Sequence, residues 1–248
     1  MKILAVIPAR YASTRFPGKP LALIQGKPMI QWVYEGVHNT GLFQACIVAT
    51  DDQRIADAVS GFGGRYCLTS PNHPSGTDRC AEVASLQNEN YDYIVNIQGD
   101  EPLVNENQLA SLVKALDGQT EIASQYIHLN KKEDILNPSR VKVVLNAEHE
   151  ALYFSRSPIP FLRQLQEDQW ADSGEFRGHV GLYAYRSDIL QELSKLKPGT
   201  LEQLESLEQL RWLEKGYKIK MVFTDHQSVG VDTPEDLETV SELMNRTT

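Results

Sequence analysis

The clearest chemical pattern is a basic loop near the start of the chain. Arg10, Arg15 and Lys19 follow an apolar run that is typical of a buried strand. Residues 1–34 contain five Lys or Arg and no Asp or Glu, a formal charge of +5, whereas the whole chain carries −9. Backbone N–H groups and converging Arg or Lys side chains bind polyanions. The loop therefore predicts a site for a multiply charged anion; on charge alone, a solvated surface loop is the alternative.

Two acidic residues follow other apolar runs. Asp100 comes shortly after 93–97, and Asp232 directly precedes a helix that begins with Thr233 and Pro234. In open α/β sheets, ligands bind outside the carboxyl ends of the strands. Mg²⁺ is usually held by one or two carboxylates together with substrate phosphates. This pattern predicts that Asp100 and Asp232 share a Mg²⁺ ion, with a turn aspartate and a capping accessory as the alternatives.

Small polar residues follow two further strand candidates. Ser75 and Gly76 open a helix, so their loop either offers free N–H groups to a ligand or caps the helix in the ordinary way. Asp51 and Asp52 come directly after 46–50. We expect this acidic pair to cap the next helix.

A third group of candidates lies in the second half of the chain. Glu208 falls on the apolar arc of a predicted helix over 201–215, where an acid must be paired or must contact polar ligand groups. The other acids of this helix are expected to form a solvated face. His179 and Arg156, taken alone, indicate a structural histidine and a surface arginine.

Composition limits the class of protein. A chain of 248 residues with 41% hydrophobic and 23% charged residues is ordinary for a globular enzyme. The net charge of −9 argues against a nucleic-acid binder. The three cysteines are far apart, which favours free thiols in a reducing compartment. Because no 18-residue apolar span occurs and Pro8 interrupts the first apolar run early, we expect a cytoplasmic protein without a membrane span.

Strand-like and helix-like runs alternate along most of the chain, which predicts an α/β fold with a largely parallel sheet. Pro8 is expected to end the first strand. The predicted strands are 2–7, 46–50, 65–69, 93–97, 121–127, 141–145, 180–185 and 218–223. The predicted helices are 28–40, 53–60, 77–89, 105–116, 187–194, 201–215 and 235–245. The region 128–178 is less regular, and we expect an arm, a lid or a dimer contact there.

Taken together, these stretches resemble the 3-deoxy-manno-octulosonate (Kdo) cytidylyltransferases, also called CMP-Kdo synthetases. The matching segments occur in order over nearly the whole chain: 7–20, 75–79, 96–102, 151–156, 179–183, 207–211 and 230–236. Basic loops of the first kind also occur in other sugar nucleotidylyltransferases. The combination of such a loop with Glu208-Gln209 and Asp232-Thr233-Pro234 is more specific for the Kdo cytidylyltransferases.

The resemblance implies one Rossmann-like nucleotidylyltransferase domain over residues 1–248, with a largely parallel twisted sheet flanked by helices, that forms a homodimer. It also implies the Mg²⁺-dependent reaction of CTP with Kdo, which gives CMP-Kdo and pyrophosphate for lipopolysaccharide biosynthesis. The alternatives are a cytidylyltransferase for another acid sugar, such as 8-amino-Kdo or a sialic acid, and a non-catalytic nucleotide-binding protein. No nucleic acid or membrane partner is expected.

The resemblance also assigns residues to roles. The implied catalytic set is Arg10, Arg15, Lys19 and Asp100. The implied nucleotide-binding set is Ala9, Arg10, Arg15, Lys19, Ser75, Gly76, Arg79 and Gln98. The implied sugar-acid set is Gln98, Arg156, His179, Tyr183, Glu208 and Gln209. The implied metal ligands are Asp100 and Asp232.

Overall fold

The structure, a computed structural model, describes residues 1–12, 16–227 and 229–247, with side chains described up to residue 245. The strands are β1 Ile3–Ala9, β2 Leu23–Ile24, β3 Lys27–Pro28, β4 Ala45–Thr50, β5 Tyr66–Leu68, β6 Tyr93–Asn96, β7 Ile122–His128, β8 Lys142–Leu145, β9 Ala151–Ser155, β10 Arg177–Arg186 and β11 Ile219–Phe223. The α-helices are α1 Met29–Asn39, α2 Gln53–Gly61, α3 Gly76–Ser85, α4 Glu106–Lys114, α5 Lys132–Leu136, α6 Ser187–Leu193, α7 Thr200–Glu205, α8 Gln209–Glu214 and α9 Pro234–Thr247. Short 3₁₀ turns occur at Lys19–Leu21, Glu167–Gln169 and Ala171–Ser173.

The chain divides into two compact units. The first contains Met1–Ala110 and Ser228–Thr248, and the second contains Ser111–Gln227. The boundary falls inside α4. One domain over 1–248 stays a prediction, whereas the α/β class is confirmed by the alternation of strands and helices.

The first unit has a parallel sheet with the strand order β6-β1-β4-β5. Strand β1 lies in the middle of these four strands, and its residues from Ile3 to Ile7 are buried. A strand covered on both faces needs a continuous apolar run, which is the pattern that the sequence shows here. The short strands β2 and β3 form a separate antiparallel hairpin.

Pro8 does not end β1, and that expectation was wrong. The strand runs to Ala9, and Pro8 stays in register with Ala49 of β4. The N–H of Ile97 donates to the carbonyl of Val6, so the backbone groups of Val6, and those of Pro8 two residues further on, point toward β6. Strand β6 pairs with β1 only as far as Asn96, which lies opposite Val6. The missing N–H of Pro8 therefore breaks no described ladder bond.

An apolar cluster fixes α9 in the first unit. Val231 and Val240 are fully buried and pack with Ile24 and Met29, and Met244 completes the buried cluster. Burying one such side chain contributes about 2 kcal/mol. The cluster therefore holds the segment that begins α9, including Asp232, in a defined position.

The second unit is built on mixed strand pairs. β7 pairs in parallel with β11 and antiparallel with β10, and β8 pairs antiparallel with both β10 and β9. The sequence predicted strands at β7, β8, β10 and β11 of this unit, but it did not predict β9 or the antiparallel pairs. The register of β7 with β10 shifts between Val180 and Tyr183, which is a β-bulge.

The predicted helix over 201–215 is broken in the structure. α7 ends at Glu205, Ser206 adopts a left-handed conformation with φ 52° and ψ 49°, and α8 begins at Gln209. Glu208 therefore lies at the start of a helix, and its inferred place on a continuous apolar arc was wrong. The expected solvated face is wrong for two of its three acids, because Glu202 pairs with Arg211 at 2.7 Å and Glu205 accepts from Arg156 N, whereas Glu214 is exposed as expected.

Regular structure is sparse in part of the 128–178 region, although α5, β8 and β9 lie within it. Trp170 packs against Phe161 and Phe176, with ring centroids 6.0 and 5.3 Å away. The role of the 128–178 region as an arm, lid or dimer contact stays a prediction. Over the part of the chain that is described, no helix combines the length and apolarity needed to cross a membrane.

Candidate active site

A cavity of about 270 Å³ lies in the first unit, at the carboxyl ends of β1 and β6. Six of the residues implied by the resemblance line it: Ala9, Arg10, Lys19, Gln98, Asp100 and Asp232. They come from three separate stretches of the chain, so the fold brings together what the sequence keeps far apart. Arg15 lies outside the described residues.

Lys19 is the centre of the charged contacts in this cavity. Its Nζ donates to Asp100 Oδ2 at 2.7 Å and to Asp232 Oδ1 at 3.3 Å. The Lys19 side chain is 13% exposed, and the two aspartates are 34% and 51% exposed. The left-handed Gly18, φ 73°, bonds back to the carbonyl of Tyr11 at 2.9 Å and leads into the 3₁₀ turn that carries Lys19.

Asp100 and Asp232 meet because their segments are bonded through the backbone. Val231 N donates to the carbonyl of Asp100 at 2.9 Å. Asp236 then accepts from the N–H groups of Asp232 and Thr233, and these bonds hold the pKa of Asp236 below its usual value. Thr233 caps α9 as predicted, because its Oγ1 accepts from Asp236 N.

Gly99 allows this part of the chain to approach β1 closely. A Cβ at position 99 would lie 2.6 Å from the carbonyl oxygen of Pro8, a distance that real side chains do not tolerate. The close approach places Asp100 on the cavity wall.

Arg10 connects the cavity to the loop before α3. Its Nη2 donates to the carbonyl of His73 at 2.5 Å and approaches that of Ser75 at 3.4 Å. Ser75 is the N-cap of α3, and its Oγ accepts from Asp78 N at 3.2 Å. The capping alternative for Ser75 is therefore confirmed, and the loop also contacts the predicted phosphate-binding arginine. Gly76 begins α3 beside Asn96 and Pro8.

Arg79 is completely buried, and sequence reasoning missed its partner. Its Nη1 donates to Thr69 Oγ1 and lies 3.5 Å from Asp51 Oδ1. Burial lowers the pKa of Arg79, and the charge of Asp51 opposes that shift. Nε and Nη2 of Arg79 have no hydrogen-bond partner in the described ranges. Asp52 does cap α2, but Asp51 faces Arg79 instead; its place directly after β4 was the available signal.

In the second unit, two of the predicted sugar-acid residues lie on β10. The ring of His179 packs against Phe154 and Tyr183, with centroids 5.0 and 5.3 Å away, and its Nε2 lies 3.0 Å from Ser124 Oγ. Burial lowers the pKa of His179 to about 3, so its ring is neutral at physiological pH.

Tyr183 is the second of these residues. Burial raises the pKa of Tyr183 well above its usual value, and the nearby carboxylate of Glu208 raises it further. The Ser124 hydroxyl opposes the rise. Even so, no described group bonds the Tyr183 hydroxyl with acceptable hydrogen-bond geometry.

Two more residues of this set, Glu208 and Gln209, lie next to the break between α7 and α8. Glu208 Oε1 lies 3.6 Å from Arg211 Nη2, and Gln209 is buried at the start of α8. Gln98 belongs to the first unit and lines the cavity described above.

Arg156 is bound more tightly within the protein than the sequence indicated. Its guanidinium donates to the carbonyls of Glu205, Pro138 and Ser206 at 2.7, 3.1 and 3.3 Å. The carboxylate of Glu205 in turn accepts from Arg156 N and from Ser155 Oγ. Arg156 therefore fixes the turn at Ser206. Arg156 can bind a sugar acid, the role that the resemblance implies, only through the guanidinium N–H groups that these carbonyls leave unused.

The fold and the cavity define an α/β protein with a charged cavity at the carboxyl ends of two parallel strands. A family profile described as cytidylyltransferase matches residues 4–219, and the chain belongs to that family.

Named relatives place the chain more narrowly. It is 51% identical to the 3-deoxy-manno-octulosonate cytidylyltransferase of Parabacteroides distasonis, over 96% of both chains. It is 53% identical to the protein of that name from Syntrophobacter fumaroxidans, over 97% of this chain and 96% of the relative. A solved structure of CMP:2-keto-3-deoxy-manno-octonic acid synthetase in complex with CTP matches 100% of both chains with a TM-score of 0.92 and 42% identity. The resemblance drawn from the sequence motifs is confirmed.

Proposed function

We propose that the chain transfers the CMP group of CTP to the 2-hydroxyl of Kdo and releases pyrophosphate. The hydroxyl oxygen forms a bond to the α-phosphorus, the bond from that phosphorus to the β-phosphate oxygen breaks, and the hydroxyl proton is lost. The observation that carries the proposal is the convergence of Arg10, Lys19, Asp100 and Asp232 on one cavity, in a chain of this family. The product would serve lipopolysaccharide biosynthesis.

Lys19 and Arg10 are proposed to hold the triphosphate of CTP, with Arg15 as a third cation. Lys19 is positioned to donate to phosphate oxygens, because its Nζ lies at the cavity wall between two acids. Fixed cations aimed at developing phosphate charge stabilise the transition state without reorganisation. The loop from Ser75 to Arg79 is proposed to approach cytosine and ribose. Arg156, His179, Tyr183, Glu208, Gln209 and Gln98 are proposed to bind the sugar acid.

Charge balance supports Mg²⁺ as the cofactor. Lys19 and Arg10 carry two positive charges that only offset Asp100 and Asp232, whereas CTP carries about four negative charges. In the described ranges no cluster of three or more His, Cys, Asp or Glu side chains is placed to hold a metal. Two carboxylates fit an ion that also takes substrate phosphates as ligands. Asp100 and Asp232 would hold Mg²⁺, which would neutralise phosphate charge and lower the pKa of a coordinated hydroxyl.

A pyrophosphate-release assay with a panel of sugar acids tests the reaction. We expect Mg²⁺-dependent release from CTP with Kdo and much slower release with 8-amino-Kdo or a sialic acid. Faster release with one of those acids would mean that this acid, and not Kdo, is the substrate. No release with any acid would leave the non-catalytic alternative standing.

Substituting Lys19 tests the role of the cavity. We expect Lys19→Met to lower kcat by roughly 100-fold at saturating CTP, because a transition-state contact is lost. Lys27→Met is the matched control, since Lys27 pairs with Glu35 at 2.8 Å and does not line the cavity. Equal kcat values for the two variants would argue against a transition-state contact from Lys19.

We also propose a cytoplasmic homodimer. The three free cysteines support a reducing compartment. Exposed Leu152, Phe161 and Leu165 in the 128–178 region support a contact with a second copy. Sedimentation of the wild-type chain tests the oligomeric state.

A further inference from the structure

Ser124 has an unusual hydrogen-bonding position in the second unit. It lies on β7, its side chain is completely buried, and its Oγ has three polar neighbours at 3.0–3.1 Å in addition to the nearby hydroxyl of Tyr183. These are His179 Nε2 at 3.0 Å, the carbonyl oxygen of Val180 at 3.1 Å and that of Leu182 at 3.0 Å. The function proposed above gives this serine no role.

The β-bulge in β10 explains why two carbonyls reach one hydroxyl. The register passes from Val180 opposite Gln125 to Tyr183 opposite Ser124, so β10 has two more residues than β7 over this step. Such a bulge disrupts the ladder locally. The carbonyls of Val180 and Leu182 both lie within hydrogen-bonding distance of Ser124 Oγ as a result.

The proton count around Ser124 Oγ determines which nitrogen of His179 carries the hydrogen. A carbonyl only accepts, and a serine hydroxyl has one proton and two lone pairs. The ring of His179 is neutral, since burial lowers its pKa to about 3, and so it has a single N–H. If Ser124 donated to Nε2, both carbonyls would face oxygen lone pairs at 3.0–3.1 Å without a proton between them. If Nε2–H donates to Ser124, the hydroxyl proton is available to the carbonyls and the repulsion is relieved.

Nδ1 of His179 then carries a lone pair. His179 keeps intermediate exposure, and among the described residues the ring makes one hydrogen bond, the bond to Ser124. A neutral ring nitrogen with a lone pair accepts from a hydroxyl and is repelled by a carboxylate. A polyhydroxylated sugar acid offers both groups, and this geometry selects a hydroxyl.

We propose that Ser124 is a positioning residue for the sugar-acid site, holding His179 as the Nε2–H tautomer so that Nδ1 accepts a hydrogen bond from a substrate hydroxyl. The tautomer depends on the protein fold alone. The use of Nδ1 by the substrate rests on the function proposed above.

Nitrogen NMR of the labelled, ligand-free protein tests the tautomer directly. We expect long-range ¹H–¹⁵N correlations of a protonated Nε2 and an unprotonated Nδ1, constant between pH 5 and 8, assigned by their loss in His179→Gln. A protonated Nδ1 would overturn the proposal, whether or not Kdo proves to be the substrate. Because this measurement uses the wild-type chain, it does not depend on whether a variant folds.

Steady-state kinetics tests the consequence for binding. We expect Ser124→Ala to raise KM for the sugar acid about tenfold, with KM for CTP unchanged, and to alter the His179 nitrogen shifts. Ser124→Thr keeps the hydroxyl and should restore both. Ser111→Ala is the matched control, because Ser111 Oγ bonds another β7 side chain, Gln125 Nε2, at 2.8 Å and does not contact His179. Equal sugar-acid KM values for Ser124→Ala and Ser111→Ala would contradict the positioning role.

Discussion

The surroundings of His179 determine its protonation state. Aromatic rings of Phe154 and Tyr183 pack against it, and the one described hydrogen bond of its ring goes to an uncharged hydroxyl. No carboxylate pairs with the ring among the bonds described, so desolvation alone lowers its pKa, to about 3. A neutral imidazole suits hydrogen bonding to a polyol better than it suits acid catalysis at neutral pH.

This pKa predicts a pH dependence of stability. The unfolded chain takes up a proton at His179 near pH 6.5, whereas the folded chain does so only near pH 3, so this residue disfavours the folded state as pH falls through that window. We expect the contribution of His179 to the free energy of unfolding to fall by about 2 kcal/mol between pH 7 and pH 5. Urea unfolding of the wild type and His179→Gln at both pH values measures it as the difference between their pH dependences. Identical pH dependences would contradict the neutral, desolvated ring.

The turn after β6 shows how an element positions chemistry. Gly99 brings the backbone within reach of Pro8, and Asp100 follows on the cavity wall. We expect Gly99→Ala to destabilise the protein by about 1–3 kcal/mol, because the carbonyl of Pro8 must move away from the new Cβ. We also expect kcat/KM to fall at least about tenfold, because Asp100 moves with the backbone.

Gly61→Ala is the matched control for this prediction. Gly61 ends α2, and a Cβ there meets no described atom within 4 Å. We expect unchanged activity and a stability that is equal or slightly higher. Denaturant unfolding and the pyrophosphate assay measure both variants. Full activity in Gly99→Ala would show that the position of Asp100 does not depend on this close approach.

Local sequence signals predicted elements wherever one local cause determines them. The apolar run of β1 and the Thr233-Pro234 start of α9 are such cases. The break at Ser206 is different, because it is held by Arg156 and Glu205 through contacts across about fifty residues. Helical periodicity continues through 201–215 and carries no sign of that constraint. The pairing of Asp51 with Arg79 and the bulge opposite Ser124 likewise depend on which strands and helices become neighbours.

At the scale of the whole molecule, the net charge is negative although the proposed substrates are anions. The chain carries −9, and Asp100 and Asp232 cancel the charges of Lys19 and Arg10 at the cavity itself. The positive charge of residues 1–34 is therefore not by itself a sufficient attraction for a triphosphate. A divalent cation that arrives with the nucleotide would supply the difference.

This balance predicts that CTP and Mg²⁺ stabilise the folded chain jointly. At a CTP concentration of 100 times Kd, binding adds about 2.7 kcal/mol, which corresponds to a rise in Tm of roughly 5–10 °C for a chain of this size. We expect that rise with CTP and Mg²⁺ together, and little change with Mg²⁺ alone or with CTP in a chelator. Asp232→Asn should reduce the joint effect. Asp92→Asn, which alters an acid at the opposite end of β6 that accepts from Lys2 N at 2.6 Å, should not. Thermal unfolding followed by circular dichroism measures each case, and a full rise with CTP in chelator would mean that the cations of the basic loop suffice without a metal.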